Sequence, residues 1–245
     1  MKVKLLNIYV DNLSMEEAVR TIDRLVQKKE KSYVLTPNLD HLVTLEKDKE
    51  FRKAYEHATL VLTDGKPLIW ISRMLKKPIK EKVSGSDLFP KVCEMAAQKG
   101  YSIFILGAKE GVAKKAAVRL RKKYKGLQIC GYYSPPFQFE SDQQEVERII
   151  QMINDSKANI LAVALGAPKG EKFIYQIKDK LCVDVSMQIG ATIDFIAGNV
   201  KRAPKWMSDM GLEWLFRIFQ EPKRMLKRYG KDAIEIIPII LKYRK

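Results

Sequence analysis

Short apolar runs alternate with amphipathic stretches along the first 195 residues of the chain. The strand-like runs cover residues 5–10, 33–36, 60–63, 102–106, 127–132, 160–165 and 183–188. The helix-like stretches between them cover residues 15–28, 39–57, 87–99, 111–125, 143–157 and 171–181. The runs IFIL and ILAVAL are apolar without alternation, which is typical of strands buried on both faces. This order predicts an α/β fold with a mostly parallel, Rossmann-like sheet flanked by helices.

The pattern changes after Ala197, where no further strand is evident. Apolar side chains then recur at helical spacing, namely Trp206, Met210, Trp214, Ile218 and Phe219. Pro222 interrupts this stretch, residues 223–231 are basic, and residues 233–241 are apolar again. The chain is therefore expected to comprise an α/β core of residues 1–195 and a helical, membrane-associating C-terminal appendage of residues 196–245.

The charge balance of the chain points to an anionic partner. The formal net charge is +16, and residues 199–245 hold 12 basic and 5 acidic residues, a net +7. A diphosphate, a phospholipid leaflet or a nucleic acid would suit this surface. Four cations recur at roughly helical spacing beside Trp206, Trp214 and Tyr229, namely Arg217, Arg224, Lys227 and Arg228. Such charge runs are usually solvated faces, but the aromatic neighbours favour an anionic lipid interface.

Several protein classes are disfavoured by composition. The three cysteines are far apart and form no ligand spacing, so a disulfide framework or a zinc site is not expected, and a reducing cytosol fits best. The first residues turn polar too soon for a signal peptide, and no apolar run approaches the roughly 20 residues needed to span a bilayer. The protein is expected to lie on a membrane rather than to cross it. Exposed apolar surface on the C-terminal appendage of residues 196–245, called the tail below, favours some self-association into a homo-oligomer.

The ends of the early strands carry candidate catalytic side chains. Thr36 and Asn38 offer a hydroxyl and an amide that suit a sugar, although Asn38 or Asp40 could equally cap the next helix. Asp64 lies between a buried strand and Gly65, where a carboxylate can act as a general base or simply form an Asp-Gly turn. A lone histidine at position 41 is more often structural.

The later strands end in glycine-rich turns. Gly107 and Ala108 open a helix whose N-terminus suits a phosphate, but the GxxxG spacing makes a nicotinamide-dinucleotide site weak. Gly166 and Gly190 occupy similar places. Asp194 could accept hydrogen bonds from a uracil or a ribose, or cap the next helix. Ser86 and Asp87 are interpreted as a helix N-cap. No DxD occurs, so neither a metal-binding carboxylate pair nor another cofactor is expected.

The ordered motifs resemble the WecG/TagA/CpsF glycosyltransferases over almost the whole chain. They are TPNLDH, VLTDGKPL, GSDLF, FILGA, GYYSPPF, GAPKGEKF, GATIDFIAG and KRAPKWMSDMGLEWLFRIFQEPKRMLKRY. The resemblance implies an inverting, metal-independent transfer of N-acetylmannosamine from a UDP-sugar donor to a polyprenyl-diphosphate-linked N-acetylglucosamine acceptor. This reaction builds the linkage unit of wall teichoic acid. The resemblance also implies a cytoplasmic protein that is peripheral on the inner face of the cell membrane.

The resemblance assigns roles residue by residue. It implies Asp64 as the general base, with Thr36 and Asn38 in the catalytic or donor-sugar pocket. Asp194 and the strand-end residues Gly107, Ala108, Gly166 and Gly190 fall on the nucleotide side. The tail cations Arg217, Arg224, Lys227 and Arg228 fall where the lipid diphosphate and the leaving group are stabilised. Two positions depart from the family pattern, because Gly170 replaces a glutamine and Lys82 replaces an arginine in the substrate pocket.

Three alternative functions remain open at this stage. One is a transferase of the same fold that uses another donor, such as a UDP-linked mannosaminuronic acid or a UDP-hexose. Another is a non-catalytic protein that binds lipid or UDP-sugar, since Gly170 and Lys82 both alter the pocket. The third is a nucleic-acid-binding protein, which the basic composition permits but the absence of any recognisable nucleic-acid module disfavours, so no nucleic-acid partner is expected.

Overall fold

A parallel sheet of six strands forms the centre of the protein in a computed structural model, which describes residues 2–244 without the side chains of residues 205 and 209. The strands are β3 (Ser32–Leu35), β4 (Leu60–Val61), β5 (Ser102–Gly107), β6 (Gln128–Tyr133), β7 (Ile160–Ala164) and β8 (Val185–Gln188). Their spatial order is β4-β3-β8-β7-β5-β6, and every neighbouring pair is parallel. The predicted α/β fold is confirmed.

Helices cover both faces of this sheet. Those preceding β8 are α1 (Met15–Lys28), α2 (Leu39–Lys47), α3 (Lys49–Glu56), α4 (Lys66–Met74), α5 (Gly85–Lys99), α6 (Val112–Lys123), α7 (Gln143–Asp155) and α8 (Lys169–Ile177). Those following it are α9 (Thr192–Ala197), α10 (Lys205–Asp209), α11 (Glu213–Gln220) and α12 (Pro222–Tyr243). The start of α1 shows why such stretches form helices. The Ser14 hydroxyl accepts from the Glu17 amide, and the Glu17 carboxylate accepts from the Ser14 amide at 2.7 Å, so the two residues form a capping box.

Three predicted elements differ from the structure. The single strand over residues 5–10 is wrong, because Leu6 adopts a positive φ of 53° and turns the chain into the antiparallel hairpin of β1 (Lys2–Leu5) and β2 (Ile8–Asp11). The single helix over residues 39–57 is divided at Asp48, which ends α2 and caps α3. The N-cap of α5 is Ser84 rather than Ser86 or Asp87.

In the described part of the chain, residues 196–245 do not form an apolar core of their own. Ile236 and Ile239 of α12 belong to the apolar core on one face of the sheet. Lys47 of α2 pairs with Glu235, and Lys242 pairs with Glu46 at 2.8 Å. This packing holds the tail over the carboxyl ends of β3 and β4.

None of the helices in residues 2–244 combines the length and the apolar character that a bilayer crossing needs.

Candidate active site

A cleft of about 360 Å³ lies between the carboxyl ends of β3 and β4 and the helices of the tail. Its core side is lined by Asn38, Leu39, Asp40, Asp64, Gly65, Lys66, Pro67 and Lys82. Its tail side is lined by Ser208, Gly211, Glu213, Trp214, Arg217, Arg228, Tyr229, Asp232 and Ala233. Ligands of open parallel α/β sheets bind beyond the carboxyl ends of the strands, so the cleft occupies the expected place.

Asp64 lines this cleft in the loop between β4 and α4. The backbone amide of Asp64 donates to the Pro37 carbonyl at 2.9 Å, which ties the ends of β3 and β4 together. Gly65 follows with a φ of 97° and is the N-cap of α4, so the chain bends into the helix directly after Asp64. Burial raises the pKa of Asp64 to about 6, while the charges of Lys82 and Arg217 act to lower it. A carboxylate tuned toward neutral pH is suited to take a proton from a hydroxyl.

Lys82 is the centre of an ion-pair network that joins the core to the tail. The Lys82 ammonium lies 3.3 Å from Asp87 and 3.4 Å from Glu213. Arg202 of the tail also pairs with Asp87 and lies 3.8 Å from Glu213. Burial lowers the pKa of Lys82, but the surrounding carboxylates outweigh that effect and leave the pKa above its usual value. Lys82 therefore keeps a positive charge next to Asp64 although its side chain is largely buried.

Asn38 and Thr36 occupy different positions relative to the cleft. Asn38 lines the cleft and is also the N-cap of α2, because its side-chain oxygen accepts from the His41 amide at 3.4 Å. The predicted cap at Asn38 is therefore confirmed, and its role toward a sugar stays a prediction. Thr36 does not line the cleft and instead faces the first turn of α5, where its hydroxyl oxygen would lie 3.4 Å from a Cβ at Gly85.

Arg228 reaches the cleft but is already engaged by two carboxylates. Its guanidinium donates to Asp40 of α2 at 2.8 Å, and its Nε lies 3.9 Å from Asp232. Burial of Asp232 raises the pKa of that carboxyl to about 6, and the nearby Asp40 adds to the effect. Arg228 therefore anchors α12 on α2 and forms a charged wall of the cleft.

The tail cations divide into two groups. Arg217 lines the cleft beside Trp214 and Tyr229, and no carboxylate of the described residues lies within 4.0 Å of its guanidinium nitrogens. Trp214 and Tyr229 meet edge to face, with ring centroids 6.4 Å apart. Arg224 and Lys227 do not line the cleft. Their side chains are exposed on the outer side of α12, where Arg224 pairs with Glu221 at 2.6 Å.

The predicted nucleotide side forms a second group at the same edge of the sheet, over β5, β7 and β8. Gly107 has a φ of 108°, and a Cβ there would lie 2.6 Å from the Ala164 carbonyl oxygen. The Ala108 amide donates to that same carbonyl at 3.0 Å, so this N–H is not available to a phosphate. Gly166 lies just after β7, and Gly190 lies just after β8.

Asp194 belongs to this second group and not to the cleft. It lies within the first turn of α9, whose N-cap is Ala191, so the predicted alternative that Asp194 caps the helix is wrong. Burial raises the pKa of Asp194, and Lys109 acts in the opposite direction.

Gly170 lies against Gln188, a side chain that sequence reasoning did not single out. A Cβ at Gly170 would lie 2.8 Å from the Gln188 side-chain nitrogen. That nitrogen donates to the Leu165 carbonyl at 2.7 Å, and the Gln188 side-chain oxygen accepts from the Gly190 amide. An amide side chain therefore does occupy the space next to position 170, but β8 supplies it.

A buried polar layer supports the cleft from below. His41 contacts the Tyr55 hydroxyl at 2.8 Å, and its other ring nitrogen lies 3.8 Å from Glu171. Burial lowers the pKa of His41 to about 4 and raises the pKa of Glu171 to about 7. His41 thus faces the core and not the cleft. Among the side chains that the structure describes, no cluster of three or more acidic, histidine or cysteine residues is arranged to hold a metal ion.

Comparison with known proteins places this arrangement in context. A family model described as the glycosyl transferase WecG/TagA/CpsF family matches residues 3–245. A relative from Bacillus subtilis (strain 168) is 32% identical over 185 residues, which cover 74% of this chain and 69% of that protein. A relative from Bacillus spizizenii (strain ATCC 23059 / NRRL B-14472 / W23) is 28% identical over 193 residues, which cover 79% of this chain and 73% of that protein. Both relatives are named N-acetylglucosaminyldiphosphoundecaprenol N-acetyl-beta-D-mannosaminyltransferase.

Proposed function

The chain belongs to the WecG/TagA/CpsF family of glycosyltransferases, as its motifs predict, and from that premise we propose its reaction. It transfers N-acetylmannosamine from a UDP donor to polyprenyl-diphosphate-linked N-acetylglucosamine, a step in the synthesis of the linkage unit of wall teichoic acid. The names of the two relatives support this choice of sugar and acceptor. The observation that carries the mechanism is a carboxylate of raised pKa, Asp64, in a cleft that also holds Lys82 and Arg217.

The proposed chemistry is a single displacement at the anomeric carbon of the donor sugar. The acceptor's 4-hydroxyl oxygen forms the new bond to that carbon while its proton passes to the Asp64 carboxylate. The bond from the anomeric carbon to the diphosphate breaks, and UDP leaves from the opposite face with the electron pair. This geometry inverts the anomeric configuration. Asp64 is suited to the base role because burial raises its pKa to about 6, so it is mostly ionised at neutral pH.

Cations of the cleft stabilise the charge that develops on the departing diphosphate. Arg217 is the best placed, because it lines the cleft without a carboxylate partner among the described residues. Lys82 supplies a second positive charge, although Asp87 and Glu213 share it. Fixed charges in a partly closed site contribute strongly to such steps, since they need no reorganisation during the reaction.

The donor nucleotide is proposed to lie over the second group at the ends of β5, β7 and β8. Gly107, Gly166 and Gly190 keep this edge free of side chains, and Asp194 offers an acceptor for a uracil or a ribose. Ala108 contributes close backbone packing rather than an amide, because its N–H is bonded to Ala164. In this arrangement the donor sugar points from the second group toward Asp64 in the cleft.

The acceptor stays in the cytoplasmic leaflet of the cell membrane while its diphosphate and sugar enter the cleft. The outer face of α12 supports this arrangement, because it exposes large apolar side chains beside basic ones. The apolar residues are Leu226, Ile234, Ile237 and Leu241. The basic residues include Lys223, Arg224, Lys227 and Lys231, which suit the anionic head groups of that leaflet. The protein therefore acts as a peripheral enzyme on the inner face of the membrane.

The reaction is tested by UDP release from UDP-N-acetylmannosamine with a short-chain lipid-diphosphate-N-acetylglucosamine acceptor and no added metal. Acceptor-dependent release is expected from the parent chain, and Asp64→Asn should lose at least about a hundredfold in kcat, as expected for a general base. Asp179→Asn is the matched control, since Asp179 is an exposed carboxylate outside the cleft. It should release UDP at the parent rate.

Other outcomes separate the parts of the proposal. Equal release by the parent and by Asp64→Asn would leave a transferase whose base is another group. No release from the parent with this donor, followed by release with UDP-N-acetylmannosaminuronic acid or a UDP-hexose, would overturn the donor assignment. Binding of UDP-sugar without turnover of any donor in the panel would overturn catalysis itself.

A further inference from the structure

The outer face of α4 is an apolar and basic surface within the α/β core. The inner side of α4 packs through Leu68 and Ile69, which are buried. On the opposite side, Trp70 is 50% exposed and Met74 is 60% exposed. These two large apolar side chains are one helical turn apart, and neither belongs to the apolar core of the described residues.

The same surface continues from the core onto the tail. A Cβ at Gly211 would lie 2.9 Å from the Trp70 ring, so the chain between α10 and α11 passes directly beside that side chain. Just before Gly211, Trp206 and Met210 are 60% and 62% exposed. We call the combined surface of Trp70, Met74, Trp206 and Met210 the α4 patch.

The charge around the α4 patch identifies its partner. Residues 65–80 contain five basic residues and no acidic one, namely Lys66, Arg73, Lys76, Lys77 and Lys80. Arg73, Lys76 and Lys77 are exposed. Tryptophan and methionine flanked by lysine and arginine match the interfacial layer of an anionic bilayer, where the rings enter the head-group region and the cations meet phosphate.

Helix α4 also lies at the edge of the cleft. Lys66 and Pro67 in the first turn of α4 line the cleft, and so does Gly211 on the tail side. The α4 patch therefore borders the cleft where core and tail meet. A bilayer against this border would hold a lipid-anchored substrate close to Asp64.

We propose that α4 is a second membrane-contacting element, built into the core and distinct from the outer face of α12, that inserts Trp70 and Met74 into anionic phospholipid beside the cleft. The proposal rests on the proposed function, because it concerns how that cleft meets a lipid-anchored acceptor. It predicts that both the core and the tail touch the same leaflet and that tail contacts alone do not account for vesicle binding.

The direct test measures whether Trp70 enters the bilayer. Substituting Trp206→Phe and Trp214→Phe leaves Trp70 as the only one of the three tryptophans in the full chain. Vesicles of phosphatidylcholine and phosphatidylglycerol with brominated acyl chains should quench its emission when the protein is bound. Emission that stays unquenched while the protein co-sediments with the vesicles would overturn the proposal, because binding would then run through the tail alone.

Partitioning supplies an independent test. Trp70→Ala/Met74→Ala should lower the partition coefficient onto the same vesicles by about tenfold or more, since two apolar side chains lose their burial in lipid. Arg73→Gln/Lys77→Gln should weaken binding to anionic vesicles and leave the weaker binding to pure phosphatidylcholine unchanged. Phe137→Ala is the matched control, because Phe137 is 88% exposed but lies between β6 and α7. Unchanged partitioning in both double variants would refute the role of α4.

Two further readouts keep this inference separate from the proposed function. Trp70→Ala/Met74→Ala should slow transfer to a long-chain acceptor embedded in vesicles and leave transfer to the short-chain soluble acceptor at the parent rate. Loss of both activities would mean that the substitutions damage the cleft, and this result would overturn the inference. A concentration-dependent dimer that disappears in this variant while vesicle binding persists would also overturn it, because the α4 patch would then contact a second copy of the protein. Absence of transfer in every form of the protein would contradict the proposed function alone, since quenching and partitioning would still decide the role of α4.

Discussion

Asp64→Asn is expected to make the protein more stable at neutral pH while it removes catalysis. Burial raises the pKa of Asp64 from 3.8 to about 6. The folded state therefore resists ionisation of this carboxyl, whereas the unfolded chain does not. A neutral amide of the same shape avoids this penalty.

The size of the gain follows from the two pKa values. The difference between 3.8 and about 6 corresponds to about 3 kcal/mol of unfolding free energy once both states are ionised. Well below pH 3.8 the carboxyl is protonated in both states, so it costs nothing. Between pH 4 and pH 6 the unfolded chain ionises first, and the folded parent protein loses stability as pH rises. Because water in the cleft reaches part of the side chain, about 3 kcal/mol is an upper value.

The assay is urea unfolding of the parent and Asp64→Asn at pH 4 and pH 8. The variant should match the parent within about 0.5 kcal/mol at pH 4 and exceed it by roughly 2–3 kcal/mol at pH 8. Asp179→Asn is a control of opposite sign, because its carboxyl hydrogen-bonds to Lys178 and has a lowered pKa. That variant should show no gain in stability between pH 4 and pH 8.

The activity profile of the parent must agree with the same pKa. A base with a pKa of about 6 is ionised to about a tenth at pH 5 and about nine tenths at pH 7, so kcat/KM should rise through pH 6. A stability gain in Asp64→Asn that is equal at pH 4 and pH 8 would contradict a raised pKa at Asp64. So would a kcat/KM that is flat from pH 5 to pH 7.

Three other predictions concern residues around this carboxyl. Lys82→Gln removes a cation that lowers the pKa of the base, so the rise of kcat/KM with pH should move up by about one pH unit, and Lys82→Arg should leave it in place. Gly170→Gln should cost about 1–3 kcal/mol of unfolding free energy, because its Cβ would lie 2.8 Å from Gln188. In a Gln188→Ala background this cost should fall by at least half, and additive costs would contradict the close contact between positions 170 and 188. Arg228→Met should destabilise the protein by about 2–4 kcal/mol at pH 7, because it leaves the carboxyls of Asp40 and Asp232 unpaired. The loss should be smaller at pH 5, where Asp232 with its pKa of about 6 is protonated, and urea unfolding at both pH values measures the difference.

The parallel sheet was accessible from sequence because local composition determines it. The run ILAVAL became β7, whose five residues are all buried, since a strand covered by helices on both faces favours apolar side chains at every position. The position of Asp64 followed for a related reason. The carboxyl ends of parallel strands meet at one edge, so a polar residue directly after a strand must lie there.

Contacts between distant segments were not accessible in the same way. Asp40 and Arg228 are 188 positions apart, and each looks locally like an ordinary charged residue on a solvated helix face. Gln188 ends a buried strand, and nothing in its neighbourhood indicates that its amide fills the space beside Gly170. Such pairs depend on how α12 packs on α2 and on how β8 lies beside α8, and both depend on the whole fold.

The short elements escaped prediction for another reason. Helix α4 spans nine residues, begins at a glycine without a side-chain cap, and exposes Trp70 and Met74 where a surface helix usually carries polar residues. Apolar residues therefore lie on both the buried and the exposed side of α4, so its sequence lacks the amphipathic pattern that predicts a surface helix. The exposed apolar side chains that obscured the helix in the sequence are also the ones that support its proposed contact with lipid.

In the proposed function, helix α12 serves both the membrane contact and the substrate cleft. Successive residues of a helix are about 100° apart. On this basis the outer apolar residues Leu226, Ile234, Ile237 and Leu241 fall within one arc of about 80°, and the buried residues Met225, Asp232, Ile236 and Ile239 fall within another arc on the core side. Tyr229 and Ala233, which line the cleft, lie between these two arcs. A lipid held against the outer arc therefore reaches the cleft by crossing only the Tyr229 and Ala233 side of the helix. The inner arc can stay packed on α2 throughout, so docking at a membrane does not require α12 to leave the core.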